Sequence, residues 1–350
     1  MESKKVRIKD IALLAGVSVG TVDRVIHKRG NVSKDIEEKI NGIIEQLGYE
    51  PNLIASTLGS NKSYRLAVLM PSYDNDPYWE GPFLGIKKAE KEFAPYSISI
   101  EAYFFEIDKA NTFVLQAEQI IQSKPDGILL APVFNRESLS FFSRFEQEGI
   151  PFVLFNTDLQ AKETLSYIGQ DSYQSGVLAG HLLALGLPKG GRIVLAHIDE
   201  DIENSTHLIK KEKGFKDFFE KYNGKYKIDV MLFNSGDQLS FDQQMQALCA
   251  QSALAGIFVT TSKAYKIANY LKLHEKKDIM LVGYDLLEEN LDLLQDQYIH
   301  FLINQNSHGQ GYWGIAALAE FLLFKRKPAA VRYLPLDIIT RENASYYIHS

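Results

Sequence analysis

The chain has 350 residues, a net charge of −6 and one cysteine, Cys249. An acidic total excludes a general polycation that coats nucleic acid, and one cysteine excludes a disulfide within the chain. No run approaches the roughly 18 apolar residues that a membrane span needs, so no membrane partner is expected.

Residues 8–26 open the pattern. Ile8, Ile11, Ala12 and Ala15 recur at helical spacing and give one apolar face. Gly16 stops this helix, because glycine takes the left-handed conformation that closes a helix end. Ser18 is a good N-cap for a second helix reaching about Ile26, with Val22, Val25 and Ile26 as its apolar positions. Two helices this short bury little and need a third. Lys34 to Leu47 supplies it, with Ile36, Ile40, Ile43, Ile44 and Leu47 on one face. A glycine turn between the first two of three helices is the pattern of a helix-turn-helix DNA reader, and equally of a plain helical bundle.

Charge separates the two readings. Residues 1–34 carry a net charge of +5, whereas residues 35–60 carry −4. Cations concentrated on the first two helices and their flanks favour a phosphate backbone through counterion release, whatever the total charge. Tyr49-Glu50-Pro51-Asn52 then breaks the chain. The following segment is weakly helical, with Asn52 as N-cap and Ile54, Ala55 and Leu58 on one face. About seven residues do not hold a helix alone in water, so this one is expected to form only against a partner.

DIALLAGVS at 10–18, TVDRVI at 21–26, VS at 32–33, LGYEPN at 47–52 and the spacing of Ala55 to Leu58 occur together and in order. On these pieces residues 6–60 resemble the DNA-binding headpiece and hinge of the LacI/GalR family of bacterial transcription regulators. The resemblance implies a second helix lying in the major groove. Arg24 would read a guanine through paired bonds to O6 and N7. Ser18 and Thr21 would hold phosphates, with Arg7 and Lys34 as electrostatic support. Asp23 stands where serine is usual, and either accepts from a cytosine amino group or repels phosphate. Val19 and Gly20 replace larger readers. In the hinge, Asn52, Ala55 and Leu58 would contact DNA, with Leu58 as a minor-groove wedge.

From residue 64 the composition changes. Strand-like runs at 66–70, 97–105, 127–131, 152–155, 192–196, 230–233, 256–260 and 279–284 alternate with helical stretches at 85–93, 112–123, 175–185 and 265–273. Alternation of this kind implies parallel sheets with helices on both faces, and about 280 residues suit two such lobes. Ligands bind beyond the carboxyl ends of parallel strands, so polar and aromatic residues just after strands carry the information. These are Asp76, Tyr78 and Trp79 after the first strand, Asn156 after Phe155, Thr261 after Thr260, Asp285 after Tyr284, and Gln305 after Asn304. Carboxylates and amides suit sugar hydroxyls, and aromatic rings suit the apolar faces of a sugar. Tyr78 and Trp79 could equally be core, and Asp285 could merely cap the next helix.

This set resembles the periplasmic sugar-binding-protein fold that forms the effector domain of the same family. Asn156 stands where aspartate is frequent in pentose and hexose binders, and Thr157 where arginine is common in ribose-type sites, so a simple ribose-like ligand is not implied. The expected fold is α/β: a helix-turn-helix headpiece at 1–50, a hinge helix and linker at 51–63, and two doubly wound parallel lobes at 64–350. The first lobe is expected over about 64–167 and 299–326, the second over about 168–298 and 327–345.

Gly309-x-Gly311-x-x-Gly314 matches a dinucleotide fingerprint but has no complete nucleotide-binding half after it, and a lone match is weak. The eight histidines show no paired metal-ligand spacing. No cofactor, metal or enzymatic activity is expected. Lys4, Lys5 and Arg7 precede no apolar run, so no export signal is expected and the cytoplasm is the expected compartment. The expected function is ligand-controlled operator binding by a homodimeric regulator, one headpiece per half-site of double-stranded DNA. The competing reading is a sugar receptor without DNA binding.

Overall fold

In the computed structural model, residues 6–26, 30–47, 49, 62–159, 161–162, 164–200, 202–222, 224–251 and 253–348 are described. The chain divides into two compact units, Met1–Asn61 and Lys62–Ser350.

The first unit holds α1 (Ile8–Ala15), α2 (Val19–Ile26) and α3 (Lys34–Gln46). Its core is Ile11, Ala12, Ala15, Val22, Val25, Ile40 and Tyr49, so each helix contributes the face its spacing defines. Gly16 ends α1 at φ 71°, in the left-handed conformation expected of it.

The second unit begins with β1 (Tyr64–Pro71), α4 (Glu80–Phe93), β2 (Ile98–Phe105), α5 (Ala110–Ser123), β3 (Gly127–Leu130), α6 (Asn135–Gln147), β4 (Phe152–Phe155) and β5 (Ser166–Gly169). It continues with α7 (Ser172–Gly186), β6 (Gly191–Ile198), α8 (Thr206–Glu220), β7 (Tyr226–Phe233), α9 (Gln238–Cys249), β8 (Leu254–Val259), α10 (Ala264–Leu273), β9 (Met280–Tyr284) and α11 (Glu288–Gln295). After these come β10 (Phe301–Asn304), α12 (Ser307–Phe324), β11 (Val331–Tyr333) and β12 (Asp337–Ile339).

The strands form two six-stranded sheets, in the orders β11-β5-β4-β3-β1-β2 and β12-β10-β9-β8-β6-β7. All pairings are parallel except β12 with β10. The central strands β3 and β4 are wholly buried runs, GILL and FVLF, because helices cover both faces of the sheet. The outer strands β2 and β7 have mixed burial, as sheet margins should.

Two lobe boundaries differ from the sequence expectation. Residues 301–304, expected in the first lobe, form β10 of the second sheet; residues 331–333, expected in the second, form β11 of the first. Strands of three or four residues carry no local signal for the sheet they join. The reason for the exchange is topological. After β5 the chain crosses to place α7 on the second sheet, and after β10 it crosses back to place α12 on the first. A third crossing separates β11 from β12. Buried Gln170 ties the three together: its Nε2 donates to Asn304 O at 2.9 Å and Pro335 O at 3.1 Å.

The Gly309–Gly314 pattern belongs to α12. A side chain on Gly311 would place its Cβ 2.0 Å from Pro82 O, so that glycine lets α12 approach α4. Its role is helix packing.

Candidate functional site

The first unit presents a polar helix face. Ser18 Oγ accepts from Thr21 N at 3.1 Å, which caps α2, and lies 2.9 Å from Thr21 Oγ1. With Val22 and Val25 buried, Ser18, Val19, Gly20 and Arg24 are exposed, and Thr21 and Asp23 are half-buried. Arg7 precedes α1, its main-chain N–H donating to Asp10 Oδ2 at 2.9 Å. Lys34 is exposed at the start of α3. Asn52, Ala55 and Leu58 lie outside the described residues.

The second unit holds a cleft between its lobes, lined by polar and aromatic side chains. All seven residues expected from strand ends line it: Asp76, Tyr78, Trp79 and Asn156 from the first lobe, Thr261, Asp285 and Gln305 from the second. Tyr78 and Trp79 also fill the first lobe's core, so for them the two readings merge. The Tyr78 hydroxyl accepts from Asn156 Nδ2 at 2.7 Å. Trp79 packs edge-on against Tyr78 and Phe155, and its buried indole Nε1 has no hydrogen-bond partner among the described residues. Asp285 does not cap α11, whose N-cap is Leu287. It accepts instead from Gln305 Nε2 at 2.7 Å and Gln305 N at 3.4 Å.

Glu200, His207, Lys211, Thr260 and Ser262 also line the cleft. Glu200 follows β6 and obeys the same strand-end rule that found the others. His207 and Lys211 lie on α8, in the stretch HLIKK, which reads as a solvated helix face. Lys211 is nevertheless only 3 % exposed. A close helix crossing buries it: a Cβ on Gly176 of α7 would stand 2.0 Å from Lys211 O. Its Nζ donates to Thr260 O at 3.0 Å and Gln305 Oε1 at 3.4 Å, and sits 3.7 Å from the centre of the Tyr284 ring.

Burial dominates the electrostatics. It raises the Glu200 carboxyl to about 7, against Lys263 and with Asp76 opposing ionisation too. Burial likewise raises Asp285, with Lys211 pulling the other way, and depresses the Lys211 ammonium, with Asp285 and Glu200 opposing. Asp76 is raised by burial as well. Burial and the nearby Lys211, His197 and Lys210 hold His207 neutral, down at about 3.

The rim of the cleft joins the lobes directly. Lys210 Nζ reaches Asp158 O at 3.2 Å and Oδ2 at 3.4 Å. Asn204 Oδ1 accepts from Arg136 N, and its Nδ2 donates to Glu137 Oε2, both at 3.2 Å. His207 Nδ1 lies 3.3 Å from Thr157 Oγ1. These contacts exist only with the lobes together. Among the described residues no cluster of histidine, cysteine and acidic side chains could hold a metal, and no helix is long and apolar enough to cross a membrane.

Residues 66–326 match the family of periplasmic binding protein domains, and residues 7–52 match the bacterial regulatory proteins of the lacI family. A ribose operon repressor of Lactococcus lactis is 25% identical over 351 residues, covering 96% of this chain and 97% of the relative. A ribose operon repressor of Halalkalibacterium halodurans is 26% identical over 285 residues, 79% of this chain and 80% of that one. Among solved structures, a Bacteroides fragilis protein assigned to the LacI transcriptional regulators superposes with a TM-score of 0.77 at 27% identity, over 82% of this chain and 100% of the other.

Proposed function

The chain belongs to the LacI family of bacterial regulatory proteins, a ligand-controlled repressor with a periplasmic-binding-protein effector domain, and from this premise we propose that its interlobe cleft binds a monosaccharide that controls operator affinity. The observation that carries this reading is the convergence of seven strand-end residues, from both lobes, on one cleft. Carboxylates and amides on facing walls can bond hydroxyls on opposite sides of a sugar ring. A ligand so held favours the closed lobes, to which the Lys210–Asp158 and Asn204–Glu137 contacts contribute. Ligand and operator must then change each other's affinity by the same factor.

On the DNA side, Arg24 reads a guanine from the exposed face of α2, Ser18 and Thr21 position the phosphates, and Arg7 and Lys34 add attraction. Val19, Gly20 and Asp23 leave much of the base recognition to Arg24. Leu58, with Asn52 and Ala55, serves the minor groove. Two copies bind a two-fold operator, since one headpiece reads only a half-site. Such a protein works in the cytoplasm, where its operator is, and performs no catalysis.

A titration of the full chain with pentoses, hexoses and polyols, read both by calorimetry and by operator gel shift, tests the reading. A sugar that binds and shifts operator affinity, with both effects lost in Asp285→Ala, is the expected result. Binding that survives Asp285→Ala unchanged, or no sugar binding at all, overturns it.

A further inference from the structure

We propose that the saccharide taken by this cleft carries a protonated amino group, seated between the carboxyl of Asp76 on one lobe and that of Glu200 on the other. The inference rests on the cleft being the effector site, and concerns which chemistry that site selects.

The cleft leaves a ligand few donors and several acceptors. Three carboxyls line the cleft, Asp76, Glu200 and Asp285, against two basic side chains, Lys211 and His207. The lysine is committed: its three ammonium donors are taken up by Thr260 O, Gln305 Oε1 and the face of the Tyr284 ring. His207 has one ring nitrogen against Thr157 Oγ1 and is held neutral. Nearby Lys263 is paired with Asp199 at 3.1 Å. No cation lining the cleft is therefore free to meet a phosphate or carboxylate on the ligand.

Acceptors, in contrast, are open. Asp76 uses one oxygen, Oδ1, for the Tyr78 N–H at 3.1 Å. Glu200 makes no hydrogen bond with any described residue; the charge of Lys263 favours its ionisation and that of Asp76 opposes it. A carboxylate beside a second one is costly to bury, and the charge of Lys263 offsets only part of that cost. An ammonium between the two offsets the rest, through charge-assisted hydrogen bonds to each lobe. Trp79 lines the cleft as well, and its indole Nε1, without a partner among the described residues, is a donor that suits a ligand hydroxyl. A saccharide with one ammonium and several hydroxyls answers the whole set.

The test is calorimetry of the full chain with D-glucosamine, D-galactosamine and D-mannosamine, with their parent hexoses, with the N-acetyl forms, which keep the nitrogen but remove its charge, and with hexose 6-phosphates. At least one amino sugar should bind about ten-fold or more tightly than its parent and its N-acetyl form, as a charge-assisted bond warrants. Glu200→Gln should erase that preference while still binding the parent hexose, which separates a lost charge from a lost fold. A parent, N-acetyl or phosphorylated sugar that binds as tightly as the amino form overturns this proposal and leaves the saccharide reading intact. Failure of every amino sugar to bind also overturns it; failure of all pentoses, hexoses and polyols as well overturns the saccharide reading too.

Discussion

Asn156 and Asp285 are counterparts in the two lobes: each directly follows the third strand of its six-stranded sheet, and each has a backbone φ of 67°. Their main-chain N–H groups make the same bond, to Ile168 O at 3.2 Å and to Ile303 O at 3.1 Å. The left-handed conformation costs most L-residues about 1–2 kcal/mol, and asparagine and aspartate tolerate it best. The turn that follows each strand thus aims a polar side chain at the cleft through a conformation few residues accept.

A stability series follows from that geometry. Asn156→Gly and Asp285→Gly should be more stable than the matching alanine variants by about 1 kcal/mol in denaturant unfolding, because only glycine enters this conformation without cost. Glycine and alanine variants of equal stability would show that the conformation imposes no constraint. All four should lose effector affinity.

Arg24→Ala should abolish specific operator protection in footprinting while circular dichroism and thermal unfolding stay unchanged, since the side chain is exposed on α2. Losing a bidentate guanine contact costs about 1–3 kcal/mol, and little else on this face reads bases. An intact footprint would remove Arg24 from the reading.

Glu200 gives a pH signature. Its carboxyl titrates near 7 in the folded protein, against an ordinary value of 4.5, so the folded state holds an extra proton between those values. Stability is therefore fully present below about 4.5 and declines as pH rises through 7. Glu200→Gln should raise the Tm above pH 7 and leave it unchanged below 4.5, measured by calorimetry without ligand. A Tm difference independent of pH would refute the assignment.

Gly176→Ala should lower the Tm by a few degrees, because the added Cβ would meet the Lys211 carbonyl at 2.0 Å and force α8 away from α7. Effector affinity should fall in parallel, since Lys211 and His207 travel with α8. An unshifted Tm would mean that the helices separate at no cost.

The seven residues at strand ends were legible in the sequence because parallel strands announce themselves as apolar runs and the residue after each has a fixed place. Asp285 and Gln305 were found this way, and Glu200 obeys the same rule after β6. Lys211 was not legible. Its neighbours His207, Lys210 and Lys213 give α8 the look of a solvated helix, and only the glycine contact between α7 and α8 sinks this lysine beneath Tyr284. The lobe boundaries near 301 and 331 were hidden for a related reason, since a strand of three or four residues gains its sheet from its neighbours.

The exchange of helices between sheets has a consequence for biosynthesis. The first lobe begins at residue 64, but Ile315, Leu318 and Leu322 of its core and the whole of β11 come after residue 314. A ribosome adds roughly 5–20 residues per second, so the early strands wait on the order of tens of seconds for the helix that covers them. During that interval one face of β3 and β4 lacks its partner. The N-terminal lobe therefore cannot finish until nearly the whole chain is made, and truncation before residue 324 removes part of the helix that covers its sheet.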